Sequence, residues 1–228
     1  MGPAAICFDA FDTLIVLDDP VGRLVARLAA AGWQVPSEVC RAALRAEAAL
    51  YRRLSLQARD AESLRRVRRA CARRLWLTLR PLVPRAASYD DAWEVLDDSL
   101  RFVPAPGAVD CLRQLSALGL PLALASNWDC SLVEVLARLD LRRWFQVVAI
   151  SALEGVEKPD PRLWRPVIEG LDLPPATIWH VGDEPLADGV GAARAGLRPV
   201  LLGPGESPPG GRRVARLADL ADLVAARP

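Results

Sequence analysis

Polar side chains that could do chemistry follow four short apolar runs in this sequence. They are Asp9, Ser126, Lys158 and the pair Asp183 with Asp188. One such residue, Asp9 for example, could simply cap a turn. Four in succession favour a shared site, because the carboxyl ends of parallel strands form one crevice.

The acidic members of this set suit a metal-assisted displacement. Asp9 can act as a carboxylate nucleophile. Asp183 and Asp188 offer the hard oxygen ligands that Mg²⁺ prefers, and Asp9 can join them on the ion. Glu184 is a further candidate ligand. The acidic residues therefore predict a magnesium site beside a nucleophile.

Lys158 is singled out by composition. It is the only lysine among 29 basic residues, and a position that keeps a lysine among so many arginines can need a compact ammonium. Lys158 and Ser126 can hold the oxygens of a phosphoryl group, whose charge Lys158 and Mg²⁺ would neutralise. The same ammonium would reduce the repulsion between Asp9 and the acidic pair.

The elements that must position these residues alternate between strand and helix. Strands are predicted at 6–8, 121–125, 145–150, 177–181 and 199–202, and helices at 108–118, 131–139, 161–170, 186–195 and 214–225. This alternation favours a parallel sheet covered on both faces. Residues 1–16 and 100–228 are therefore predicted to form an α/β, Rossmann-like core. His180 falls inside a predicted strand, which favours a packed side chain over a catalytic one.

Residues 17–99 are predicted to form an all-helical domain inserted after the first strand. Its helices are expected at 21–31, 36–51, 60–79 and 90–100. Between positions 41 and 80 there are twelve arginines and three acids. A solvated helix face is the simplest interpretation of this pattern, and a basic lid over an anionic substrate is the alternative.

Composition excludes several function classes. The net charge of +1 over 228 residues gives no field for nucleic acid, and no apolar run approaches the roughly 20 residues of a membrane span. Five scattered cysteines without CxxC spacing favour a reducing compartment. We therefore expect a cytoplasmic protein that binds neither nucleic acid nor membrane. The chemistry of the polar residues predicts a small, anionic substrate, and the chain is expected to be a monomer or homodimer.

The order of the motifs resembles that of the haloacid dehalogenase-like (HAD) hydrolase superfamily. The first family motif, DxDx[TV], is matched by Asp9-Ala10-Phe11-Asp12-Thr13. The others are matched by Ser126, by Lys158-Pro159-Asp160-Pro161 and by Gly182-Asp183 through Asp188. The chain is identified as a member of subfamily I, in which a helical cap domain is inserted after the first strand.

The resemblance implies a Mg²⁺-dependent phosphatase that forms an aspartyl-phosphate on Asp9. Ser126 and Lys158 would assist catalysis. The expected metal ligands are Asp9, the backbone carbonyl of Phe11, Asp183 and Asp188. The expected substrate contacts are Phe11, Thr13, Ser126, Asn127 and Lys158.

One position departs from the phosphatase pattern. Phe11 replaces the aspartate that protonates the leaving group and then activates water, and Asp12 lies one place further on. The loss of such acid–base help typically costs about 10²–10⁴ in rate.

Two alternatives to a phosphatase remain open. One is a 2-haloacid dehalogenase, which carries an aromatic residue at this position and a Ser-Asn pair like Ser126-Asn127. Its cap arginine, for which Arg41 and Arg45 are candidates, would bind the substrate. The other is a weak or inactive HAD-fold binding protein.

Overall fold

A computed structural model describes residues 2–83 and 89–225 of the chain. Residue 1 and residues 84–88 and 226–228 of the predicted domains lie outside the described residues. The chain divides into two compact units: Met1–Val16 with Pro104–Pro228, and Leu17–Val103. Each unit is described separately below.

The first unit is built on a six-stranded parallel sheet. The strands of the chain are β1 (Ala5–Phe8), β2 (Ile15–Leu17), β3 (Phe102–Pro104), β4 (Leu122–Ser126), β5 (Val147–Ile150), β6 (Ile178–Gly182), β7 (Arg198–Leu202) and β8 (Arg212–Val214). The sheet has the order β5-β4-β1-β6-β7-β8, and all neighbouring strands are parallel. The short strands β2 and β3 pair with each other. The predicted α/β fold with a parallel, Rossmann-like sheet is confirmed.

The central strands are apolar because both of their faces are covered. Every residue of β1, β4 and β6 is buried, which is typical of parallel sheets between helical layers. One face of β1, β4 and β5 carries mainly alanine and cysteine side chains. These small residues pack against Leu163, Trp164 and Val167.

Helices account for most of the remaining chain. They are α1 (Pro20–Ala30), α2 (Ser37–Leu54), α3 (Ala61–Leu79), α4 (Tyr89–Ser99), α5 (Ala108–Ala117), α6 (Leu132–Arg138), α7 (Ser151–Glu154), α8 (Arg165–Leu171), α9 (Gly191–Arg194) and α10 (Ala218–Ala225). None of the described helices combines the length and apolar character that a membrane span needs.

Three predicted helices differ in detail. The segment expected at 161–170 begins as a 3₁₀ turn, Pro161–Trp164, before α8. The segment expected at 186–195 begins as a π-helical turn, Pro185–Val190, before α9. The last helix begins at Ala218 rather than near 214, because Arg212–Val214 pair with β7 as β8.

The second unit contains helices α1 to α4. Asp60 begins α3 with a capping box in which its carboxylate accepts from the Ser63 N–H at 2.8 Å. The apolar residues of α3, such as Leu64, Val67 and Leu75, are buried. Most of the α3 arginines are exposed, as expected for a solvated helix face.

Candidate active site

The candidate site lies at the carboxyl edge of the central strands. Asp9 follows β1, Ser126 is the last residue of β4, and Asp183 follows β6. The backbone N–H of Asp9 donates to Val181 O at 2.8 Å, which extends the pairing of β1 with β6. Since β4, β1 and β6 are neighbours, the sheet itself brings these positions to one edge.

Lys158 joins two carboxylates inside the first unit. Its Nζ donates to Asp9 Oδ1 at 2.5 Å and to Asp188 Oδ1 at 2.7 Å. The lysine side chain is only 3% exposed. Although burial opposes the charge, Asp9 and Asp188 raise the pKa of Lys158 above its ordinary value, so the ammonium stays protonated.

The backbone of Lys158 is held by the loop that follows β4. Asn127 donates its Nδ2 to Lys158 O at 3.1 Å and accepts the Lys158 N–H on Oδ1 at 2.7 Å. The Asn127 amide makes these two bonds to the lysine backbone, and its contact with substrate stays a prediction. The same loop is tied to α7, because Ser151 Oγ bonds both the N–H and the carbonyl of Trp128.

Asp188 reaches the site from the π-helical turn Pro185–Val190. π-helical turns are rare and frequently occur at functional sites. The N–H of Glu184 donates to Asp188 Oδ2 at 3.0 Å. A Cβ added to Gly182 would lie 2.2 Å from Asp188 Cγ. Gly182 is therefore required because the Asp188 carboxyl group occupies the space of its missing side chain.

Asp9, Asp183 and Asp188 form an acidic cluster. Each offers an oxygen within 4.8 Å of the others. Burial together with the neighbouring carboxylates raises the pKa of Asp183 to about 7. Burial also raises the pKa of Asp9, against the opposing effect of Lys158. Although burial opposes ionisation, Lys158 and His180 lower the pKa of Asp188.

The donor set of this cluster suits a divalent cation. Two of the three carboxylates, Asp9 and Asp188, share the ammonium of Lys158. One positive charge beside three carboxylates leaves negative charge uncompensated, and hard oxygen ligands of this kind suit Mg²⁺. The side chain of Glu184 is outside the cluster. The predicted ligand at Phe11 is a backbone carbonyl, and it remains a prediction.

Two hydroxyl groups predicted for the site are buried. Thr13 Oγ1 lies 3.5 Å from Asp183 Oδ1, a long hydrogen bond. Ser126 Oγ is buried and has no hydrogen-bond partner within the described part of the chain. Buried polar atoms are normally paired, so Ser126 has unused capacity to bind a ligand oxygen.

An aromatic pair stands where the phosphatase motif has its second aspartate. The rings of Phe11 and Trp128 meet edge to face, with 6.0 Å between centroids and 69° between planes. Asp12 has a φ of 56°, so its backbone is in the left-handed region. The raised pKa of Asp183 is caused mainly by burial, then by Asp9 and Asp188, and to a smaller extent by Asp12. The side chain of Asp12 is outside the acidic cluster.

Sequence reasoning missed the hydrogen bonds of His180 and Trp164. His180 is fully buried, as a packed strand residue should be. Its Nε2 also lies 2.9 Å from Asp188 Oδ1, and Trp164 Nε1 donates to its Nδ1 at 3.1 Å. The alternation of side chains along a strand could have indicated this bond. It puts His180 on the same face of β6 as Gly182, and the Asp188 carboxyl group lies against Gly182.

Known proteins resemble this chain to different extents. It is 36% identical to human haloacid dehalogenase-like hydrolase domain-containing protein 3 over 115 residues, 50% of this chain and 42% of that protein. The mouse protein of that name is 29% identical over 207 residues, 86% of this chain and 80% of that protein. Phosphoserine phosphatase of Thermus thermophilus is 35% identical over 129 residues, 55% of this chain and 52% of that protein.

Solved structures share the fold. A dehalogenase with an intermediate complex superposes with a TM-score of 0.69 at 22% identity, covering 99% of both chains. The Bacillus subtilis HAD-hydrolase YfnB bound to magnesium gives 0.72 at 17% identity, covering 99% of this chain and 100% of that chain. The sequence profile of the haloacid dehalogenase-like hydrolases matches residues 3–196. This match covers most of the chain, and the chain therefore belongs to the haloacid dehalogenase-like hydrolases.

Proposed function

We propose that the chain is a Mg²⁺-dependent phosphohydrolase for a small phosphorylated metabolite, with Asp9 as the nucleophile. The observation that carries this proposal is the buried bridge of Lys158 between Asp9 and Asp188, next to Asp183. An ammonium and three acids at one strand edge form a site for an anionic group and a cation. The phosphoserine phosphatase among the relatives adds support.

Each residue has a defined task in this proposal. Asp9 attacks phosphorus, the bond to the leaving group breaks, and the leaving oxygen takes the electron pair. Water then attacks phosphorus of the aspartyl-phosphate, the bond to the Asp9 oxygen breaks, and inorganic phosphate leaves with the proton of the water. Ser126 Oγ and Lys158 Nζ bind the non-bridging oxygens of the phosphoryl group.

The acidic cluster supplies the metal site. Asp9, Asp183 and Asp188, with the carbonyl of Phe11, would hold Mg²⁺. When bound there, the ion would favour the ionised carboxylates and neutralise charge on the phosphoryl group. Thr13, buried beside Asp183, helps to orient that carboxylate.

Phe11 restricts the substrate class. Its ring cannot donate a proton, and its neighbour Trp128 makes the surroundings apolar. A leaving group that is stable as an anion, such as an aryl oxide or a carboxylate, needs no proton donor. We therefore expect acyl or aryl phosphates, or substrates that carry their own donor, to react faster than alkyl phosphates. The helical unit Leu17–Val103 is proposed as the cap domain of the family.

The test is the hydrolysis of p-nitrophenyl phosphate with Mg²⁺ and with EDTA. We expect Mg²⁺-dependent release of nitrophenol that Asp9→Asn abolishes. The control is Asp110→Asn, which makes the same charge change at an exposed carboxylate paired with Arg113 on α5. If the wild type shows no turnover of aryl or acyl phosphates although Mg²⁺ binds, the phosphohydrolase proposal is wrong.

The aromatic residue at position 11 favours a second candidate, a 2-haloacid dehalogenase. In that reaction the carboxylate of Asp9 displaces halide and no metal is needed. The presence of Asp183 in the acidic cluster weighs against it. Halide release from L-2-chloropropionate in the presence of EDTA would favour this candidate, whereas no turnover in either assay would favour a binding protein.

A further inference from the structure

A buried chain of hydrogen bonds leads from the hydrophobic core to the acidic cluster. Trp164 Nε1 is 3.1 Å from His180 Nδ1, and His180 Nε2 is 2.9 Å from Asp188 Oδ1. All three side chains are essentially inaccessible to solvent. The indole and imidazole rings also pack edge to face, with centroids 5.0 Å apart and planes at 86°.

The two partners of His180 assign its protonation. An indole N–H can only donate, so His180 Nδ1 must accept and carries no proton. The ring proton is therefore on Nε2, which donates to the carboxylate of Asp188. A doubly protonated ring would place two N–H groups against each other at Trp164. The geometry thus selects a neutral imidazole with one orientation.

We propose that His180 and Trp164 are positioning residues that hold the Asp188 carboxylate in the metal-binding orientation. This inference rests on the proposed function, because it assigns Asp188 to the metal site. Asp188 comes from an irregular π-helical turn, so its side chain needs several anchors. Lys158 and His180 share Oδ1, and the Glu184 N–H holds Oδ2.

A neutral histidine suits this task better than a charged residue. It donates one hydrogen bond and leaves the negative charge of Asp188 available to a cation. A second ammonium or guanidinium at this position would compete with the ion for that charge. Carboxylates that bind metals are themselves held by outer hydrogen bonds, and the loss of such an outer partner typically costs about 10–100-fold in metal affinity or activity.

Trp164 has room for its indole ring because of a glycine. A Cβ added to Gly191 would lie 2.7 Å from Trp164 Cη2. Without the indole N–H, His180 Nδ1 would lose its hydrogen-bond donor and the ring would be held through Nε2 alone. Trp164 therefore acts on Asp188 through the orientation of the His180 ring.

The first test is the tautomer itself. His180 is the only histidine in the sequence, so the ¹⁵N spectrum of histidine-labelled protein reports this one ring. We expect the Nε2–H tautomer in the wild type, and in Trp164→Phe a shifted Nδ1 resonance, because Nδ1 no longer accepts the indole N–H. The control is Trp179→Phe, the buried tryptophan next to His180 on β6, which should leave the spectrum unchanged. An Nδ1–H tautomer in the wild type would overturn the proposal, even if no variant folds.

The second test is Mg²⁺ affinity measured by titration calorimetry. We expect His180→Phe to weaken Mg²⁺ binding by about 10–100-fold, and His180→Gln, which keeps a neutral N–H donor, to recover most of it. Unchanged Mg²⁺ affinity in folded His180→Phe would refute the positioning role while leaving the phosphohydrolase proposal intact. A loss of affinity in a protein without phosphatase activity would support the positioning role and refute the proposed function.

Discussion

Glu47 is a carboxylic acid buried inside the helical unit, and its ionisation should control the stability of that unit. It lies on the buried stripe of α2 with Cys40, Ala43 and Leu44, and it is only 5% exposed. Burial raises the pKa of Glu47 from 4.5 to about 7, although a hydrogen bond with Cys71 opposes the change. Ionisation of this buried carboxyl group at neutral and alkaline pH should lower the free energy of unfolding. We predict that Glu47→Gln removes this loss.

The sign and size of the effect follow from proton linkage. Between the unfolded pKa of 4.5 and the folded pKa of about 7, the folded chain holds a proton that the unfolded chain releases. The free energy of unfolding therefore falls as the pH rises through this window. At about 1.4 kcal/mol for each pH unit, the loss by pH 8 is about 3 kcal/mol. Glutamine cannot ionise, so the variant should not show this loss.

The assay is denaturant unfolding of wild type and Glu47→Gln at pH 5 and pH 8, followed by far-UV circular dichroism. The two proteins should be similar at pH 5, and the variant should be more stable by up to about 3 kcal/mol at pH 8. Glu38→Gln is the matched control, because Glu38 is an exposed acid on the same helix and its loss should cost less than about 1 kcal/mol at either pH. A difference between Glu47→Gln and wild type that stays constant from pH 5 to pH 8 would refute the linkage.

Three further substitutions test the candidate active site. Gly182→Ala places a Cβ 2.2 Å from Asp188 Cγ, and since a misplacement of about 1 Å can cost 10²-fold, kcat/KM should fall by about that factor. Gly189→Ala, whose Cβ has no contact closer than 3.6 Å, is its control and should retain activity. Phe11→Asp should raise the hydrolysis of an alkyl phosphate by about 10²–10⁴. With p-nitrophenyl phosphate, the initial burst of nitrophenolate should gain far less, because nitrophenolate leaves without a proton and only the later hydrolysis of the aspartyl-phosphate uses the new carboxylate to activate water. An equal gain in the burst and in the hydrolysis of the alkyl phosphate would contradict this explanation, and Phe11→Leu should give neither. Asn127→Ala removes both bonds to the Lys158 backbone and should lower the free energy of unfolding by about 1–3 kcal/mol. An unchanged unfolding midpoint would show that the loop holds Lys158 without Asn127.

The core fold could be predicted because buried parallel strands leave a clear signal in the sequence. β1, β4 and β6 are short apolar runs, and all of their residues are buried. β8 could not be predicted in this way. Two of its three residues are arginines, and only its pairing with β7 makes Arg212–Val214 a strand.

The residues of the site could be predicted because strand ends share an edge, whereas their hydrogen bonds could not. Asn127 and Lys158 are 31 positions apart, and no local pattern indicates that a side-chain amide on one loop bonds the backbone of another. His180 was correctly expected to be buried, but its bond to Asp188 depends on a π-helical turn that the sequence did not predict. The catalytic and metal-binding roles of the site residues remain predictions.

The burial of the only lysine makes the chain unusual as a target for amine chemistry. Lys158 is 5% exposed, and its two acidic partners keep its amine protonated and unreactive. Acylating reagents therefore find no accessible lysine on the folded chain, and adducts at residue 158 can form only when the site opens. The extent of lysine labelling, followed over time by mass spectrometry, would report local opening of the active site with no engineered probe.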